Sequence, residues 1–105
     1  MSAAHTPGPW VYYYDAHEHY KHRIHAKPGL ICMMPEWRMR EELRLEQEAN
    51  AHLICAAPEL LEALQKFVDY EKAMDEFDDV RGILIYAEFS RLASVAIAKA
   101  KGGAA

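Results

Sequence analysis

Five prolines divide the chain into stretches that can and cannot be regular, and this constrains the fold more than any other feature. Pro7 and Pro9 in His5-Thr-Pro-Gly-Pro-Trp10 fix φ and push the residues before them into extended backbone, so the opening cannot be helical. It is a rigid lead-in that presents Trp10. From Trp10 to Tyr14 the residues are β-branched or aromatic. Arg23 to Ala26 and Leu30 to Met34 again read as extended, with Lys27-Pro28-Gly29 as a turn. The pattern predicts a small antiparallel sheet of two or three strands.

After Pro35 the texture changes to Glu, Leu, Arg, Gln and Ala, residues that keep side-chain freedom in a helix. A first helix is expected from about Arg38 to Ala57, and Pro58 either kinks it or occupies the first turn of a second. Leu60, Leu61, Leu64, Phe67 and Val68 then define one apolar helical face. Asp75 to Asp79 is an acidic break, with Asp78 and Asp79 suited to cap a third helix over roughly Val80 to Lys101. Lys99 and Lys101 suit its negative end, and Gly102 and Gly103 its stop. The expected fold is α+β: a small N-terminal antiparallel β-hairpin or three-stranded sheet (residues 10–34) packed on two or three C-terminal α-helices (38–101). It forms one domain over 1–105, with residues 1–9 and 102–105 extended or frayed.

Composition bounds the function. The 105 residues are 51% apolar, enough for one ordinary core. Twelve basic against sixteen acidic residues give a formal −4, without the positive excess that duplex DNA binders use against phosphates. Generic duplex DNA binding is therefore disfavoured. Neither a membrane-length apolar run nor a signal-peptide pattern is present, which leads to the expectation of a cytosolic protein. Cys32 and Cys55 lie in apolar runs and read as small buried hydrophobes rather than a disulfide.

Three clusters could carry chemistry. His17, His19, His22 and His25, with Glu18 among them, are the densest set of metal-ligand side chains. On a strand, His17, His19 and His25 would share one face and His22 take the other. Structural zinc sites draw paired ligands from two elements, and no second pair exists here, so the expectation is a polar, solvated hairpin loop and no metal. Trp10, Tyr12, Tyr13, Tyr14 and Tyr20 interleave with His17, His19, Lys21, Arg23 and His25, placing stacking surfaces beside cationic donors as a nucleobase with its phosphate requires. Alternate strand residues such as Tyr12 and Tyr14 are equally core or cross-strand partners. Arg38, Arg40 and Arg44 form a second basic cluster among Glu41, Glu42, Glu46 and Glu48, mostly an array of solvated i,i+4 pairs. Ser90 and Ser94 lie among apolar helix residues, and no phosphate loop or His-Glu-x-x-His helix occurs, so no catalytic residue and no cofactor is assigned.

His5-Thr-Pro-Gly-Pro-Trp10, together with Glu48-Ala-Asn-Ala-His-Leu-Ile-Cys-Ala-Ala-Pro-Glu-Leu-Leu-Glu-Ala-Leu64 and the closing Ala96-Ile-Ala-Lys-Ala-Lys-Gly102, resembles a group of short phage and prophage proteins. The resemblance covers a quarter to a third of the chain and implies an accessory gene of a mobile element, of the kind that serves counter-defence or host takeover. It supplies no catalytic residues. The chain departs from the group between Tyr12 and Arg44, where it carries its tyrosine run and histidines. Asn50, inside the shared motif, is expected to hydrogen bond backbone near Trp10.

Two functions follow as expectations. In the first, a homo-oligomer sequesters a small nucleotide immune signal, with Tyr12, Tyr14, His19, Arg23, His25, Arg40 and Arg44 as ligand contacts. Helix three is apolar around much of its circumference, and its Ile85, Phe89, Leu92 and Ala96 stripe is assigned to the oligomer interface. In the second, the protein inhibits a host defence complex by protein contact, using an acidic face built from Glu41, Glu42, Asp69, Asp75, Glu76, Asp78 and Asp79. A structural or regulatory adaptor without a small ligand is the third reading.

Overall fold

The computed structural model of the protein describes residues 4–27, 29–34, 41–76 and 79–103. Three strands, β1 (Val11–Tyr14), β2 (His22–Ala26) and β3 (Gly29–Met34), are followed by three helices, α1 (Glu41–Cys55), α2 (Ala57–Glu76) and α3 (Asp79–Ala100). The strands form an antiparallel sheet in the order β1-β2-β3, so the short turns predicted from the sequence place sequential strands side by side. Register sets Tyr12 opposite Ile24, Tyr14 opposite His22, and Arg23 between Tyr13 and Met33. An irregularity between Ile24 and His25 shifts the pairing with β3. Pro28, and the start expected for helix one at Arg38, lie outside the described residues.

α1 lies across the sheet because its Ala51 and Cys55 are small enough to let the helix approach Ile24 closely. Ile24, Ala51 and Cys55 are buried, with Trp10, Tyr12, Ile31, Cys32, Met34 and Ile54 packed around them. Pro58 occupies the first turn of α2, where no backbone donor is required, and the Leu60 N–H reaches the Ala56 carbonyl at 2.9 Å.

α2 and α3 form an antiparallel hairpin. Met74 meets Gly82, Tyr70 meets Tyr86, Phe67 meets Phe89 and Glu59 meets Lys99, each pair a step further from the turn. A Cβ at residue 82 would run into the Met74 sulfur, so glycine permits the close crossing there. α3 ends as the sequence predicts: Gly102 takes φ +86°, its N–H reaches the Lys99 carbonyl at 3.0 Å, and the Gly103 N–H reaches that of Ala98 at 2.9 Å. This is a Schellman cap closing the last turn of α3.

The hairpin projects from the sheet. The radius of gyration is 17.2 Å, against about 13 Å for a compact chain of this length. The molecule measures 56 × 33 × 17 Å, so over much of its length it is one helical layer thick. No helix among the described residues is long and apolar enough to cross a membrane.

Candidate functional site

The sheet sorts the residues nominated from the sequence onto opposite faces. Tyr12 and Tyr14 point inward toward α1. The Tyr12 hydroxyl is 2.8 Å from Nδ1 of the buried His22, and the Tyr14 ring lies edge-on to the same imidazole at 5.1 Å. His52 of α1 closes on Tyr12 from the other side, with ring centroids 4.9 Å apart. This aromatic and imidazole cluster belongs to the packing between sheet and helix.

Arg23 and His25 take the outer face. Their aromatic neighbour is Tyr13, which sequence reading left out of the site. Tyr13 is half exposed, stands opposite Arg23 in the register, and meets the His25 ring edge-on at 6.0 Å. The signal that could have found it is the period of two: once Tyr12 and Tyr14 are core, Tyr13 must join Arg23 on the other side. Val11, Leu30 and Met33 complete that face, and the Arg23 guanidinium lies 3.8 Å from the Met33 sulfur.

The histidines do not converge. His17 and His19 lie on the exposed connection between β1 and β2, not on a strand. The Asp15 carboxylate accepts the His17 backbone N–H at 3.0 Å, and the His19 ring packs edge-on against Tyr20 at 5.0 Å. This is the polar, solvated loop expected from the sequence, so the strand period that would set His17, His19 and His25 on one face does not apply to it. Among the described residues no three His, Cys, Asp or Glu side chains are arranged to hold a metal. Arg44 is half-buried on α1, whereas Arg40 and Arg38 lie outside the described residues. Asn50 is exposed, which corrects its expected bond to the Trp10 region. The Trp10 indole instead donates to the Thr6 carbonyl at 3.0 Å, closing the proline-rich segment on itself.

The three segments that carry the resemblance meet at the other end of α1. A Cβ at Gly8 would lie 3.1 Å from Cβ of Pro58, so the N-terminal segment rests on the start of α2. Glu59 accepts from the Lys99 ammonium at 2.7 Å. Trp10, Tyr12, His52, Cys55, Lys99 and Gly102 surround a recess of about 240 Å³, smaller than an ordinary small-molecule pocket. A groove of about 760 Å³ runs beside it between the N-terminal segment and α2. Glu59, Glu62 and Asp69 outnumber Lys66 along its lining, a charge balance that repels phosphate.

Burial raises the Cys55 thiol to about 11, with nearby Lys99 opposing, and burial also raises Cys32; both cysteines are free. A thiol held protonated and covered is not a nucleophile at neutral pH. Cys55 is expected to resist an aromatic disulfide reagent in native protein and to react at once in denaturant. Reaction of both thiols at the free-cysteine rate without denaturant would contradict its place in the core.

The apolar stripe assigned to the oligomer interface falls largely within the chain. Ala96 is fully buried and Phe89 packs on Phe67 of α2, while Ile85 and Leu92 on the same stripe are half-buried. Exposed apolar surface lies instead one flank over. Leu64 and Ile83 are 62% and 64% exposed, and Phe67, Met74, Tyr86 and Ile97 lie beside them along the two helices. By helical spacing these form two stripes, Leu60-Leu64-Phe67-Glu71-Met74 and Ile83-Tyr86-Ser90-Ala93-Ile97, with Glu71 their one charged member. Tyr70, Met74, Ile83 and Tyr86 line a common hollow, so the two stripes share one side of the hairpin. The opposite side carries Glu62, Lys66, Glu88 and Arg91, with the exposed Leu84 one turn before Glu88. There the Arg91 hydrogen bond lowers the Glu88 carboxyl, with Lys66 adding to the effect, and the Glu88 carboxylate raises the Arg91 guanidinium in turn.

Sheet, packed helix and projecting hairpin define a small α+β protein whose exposed features are surfaces rather than an enclosed pocket. The chain belongs to the family of Salmonella phage P22 protein Y8K6, whose match runs over residues 1–104, and is thus a small phage or prophage protein. No curated protein and no solved structure matches it.

Proposed function

We propose that this phage protein acts by binding rather than by catalysis, as a homodimer joined through the α2–α3 hairpin, withholding its ligand from the host in a counter-defence role. The observation that carries the reading is the apolar side of the hairpin. Among the described residues nothing covers this side of a layer one helix thick, and Leu64, Ile83, Tyr86 and Ile97 are exposed across two adjacent helices. A second copy is the occupant because the face is self-complementary and nearly uncharged, so pairing it about a two-fold axis desolvates few ions and yields a four-helix arrangement. Two helices about 30 Å long and about 10 Å wide present roughly 600 Å² per chain. The dimer would then bury roughly 1,200 Å², within the range of specific interfaces.

Light scattering coupled to size exclusion tests this directly. The wild type is expected at twice the 12.0 kDa chain mass. The double variant Leu64→Glu, Ile83→Glu is expected at the mass of one chain with unchanged helical circular dichroism, since both positions are exposed within the chain. A wild type that stays monomeric at every concentration reached would remove the reading.

A further inference from the structure

We propose that the outer face of the sheet is a platform for single-stranded nucleic acid, with Tyr13 as the stacking surface and Arg23 as the phosphate contact. This names the ligand for the capture proposed above. The face holds Val11, Tyr13, Arg23, His25, Leu30 and Met33, with no carboxylate among them. A half-exposed phenol directly opposite a guanidinium offers a base a flat π surface and its phosphate a cation within one strand spacing. The aliphatic side chains around them cover the faces of neighbouring bases without demanding sequence.

Charge segregation points the same way. Residues 1–34 carry three basic side chains, Lys21, Arg23 and Lys27, against Asp15 and Glu18, together with five of the six histidines. The remainder carries nine basic against fourteen acidic residues. Residues 1–34 are therefore formally +1 and the remainder −5, so a polyanion meets less repulsion at the sheet than elsewhere. A second copy is a poor occupant here, because it would set Arg23 against its own like charge.

The shape favours a strand over a free nucleotide. Small ligands are held in concave sites that bury most of their surface, whereas this face is open. An open sheet gains affinity by laying successive bases over successive side chains. The groove that has the volume for a nucleotide carries the wrong charge for one.

The test is fluorescence anisotropy of a labelled twelve-residue oligothymidylate and the matching oligouridylate, titrated with wild-type protein at several salt concentrations. Binding is expected to weaken linearly with log salt, and Arg23→Ala to reduce that slope by about 0.7. Tyr13→Ala is expected to weaken binding by about 5- to 150-fold, and Tyr13→Phe, which keeps the ring, by little. The Leu64→Glu, Ile83→Glu variant should still bind, so failure of the hairpin dimer and failure of the platform are separable. Three results would overturn the proposal: no binding of either oligomer at low salt, binding indifferent to Tyr13→Ala, or binding of mononucleotides as tightly as of the oligomers.

Discussion

Replacing Ile24 by alanine is expected to remove about 2–4 kcal/mol of stability, and with it roughly 10–30 °C of melting temperature in a domain of this size. Ile24 and His22 are the largest fully buried side chains of the described residues, and the other buried members of the Ile24 cluster, Ala51 and Cys55, are small, with larger side chains such as Trp10, Tyr12 and Met34 only half-buried at its edge. Few alternative contacts can absorb the loss. Ile24 sits on the central strand, paired on both sides, so the backbone cannot collapse into the space left behind. Ile24→Val keeps the branch at Cβ and should cost only about 0.5–1.5 kcal/mol. Thermal unfolding followed by circular dichroism reads both. A cost below about 1 kcal/mol for the alanine variant would mean that α1 does not pack on the sheet through this residue.

The second large effect is expected at the ion pair of Lys99 and Glu59. These side chains are 17% and 23% exposed and lie 40 residues apart in sequence, joining the last turn of α3 to the first turn of α2. Each also sits at the favourable end of its own helix dipole. Lys99→Ala leaves a largely covered carboxylate whose Oε2 already has no hydrogen-bond partner among the described residues, and should cost about 2–3 kcal/mol. Glu59→Ala should cost a similar amount. If the pair is the cause, the double alanine variant falls short of the sum by about 1–2 kcal/mol, and the apolar pair Lys99→Met, Glu59→Leu recovers most of the loss. Strict additivity in denaturant unfolding would show that the two residues act separately.

Much of the fold was legible because its signals are local. Prolines at 7 and 9 exclude a helix whatever surrounds them, and aromatic and β-branched runs between turn residues make strands. Gly102 supplies the positive φ that closes α3. Pro58 left two outcomes open, and the chain takes the one in which a missing N–H costs nothing.

The candidate site was less legible, and for one reason throughout. A period reveals which residues share a face but not which face is covered. Along β1 both sets are apolar, so choosing Tyr12 and Tyr14 over Val11 and Tyr13 needed the position of α1. On α3 the choice between the Ile85 and Ile83 stripes needed the position of α2. Asn50 is exposed because the stripe that meets the sheet runs through Ala51 and Cys55, and Asn50 falls on its outer flank. The histidines between β1 and β2 lie on the polar, solvated connection expected of them, which Asp15 closes with a 2.8 Å backbone bond from its N–H to the Lys21 carbonyl.

By itself, then, the sequence determined the elements, their order, the C-terminal cap of α3 and the α+β class, because those depend on neighbours within a few residues of backbone. Tertiary structure alone decided that exposed Tyr13 stands beside half-buried Arg23 and His25 on the outer face, and that Leu64, Ile83, Tyr86 and Ile97 are left exposed on one side of the hairpin. Those outcomes depend on which surface each element meets, a long-range choice that burial area settles and local propensity does not.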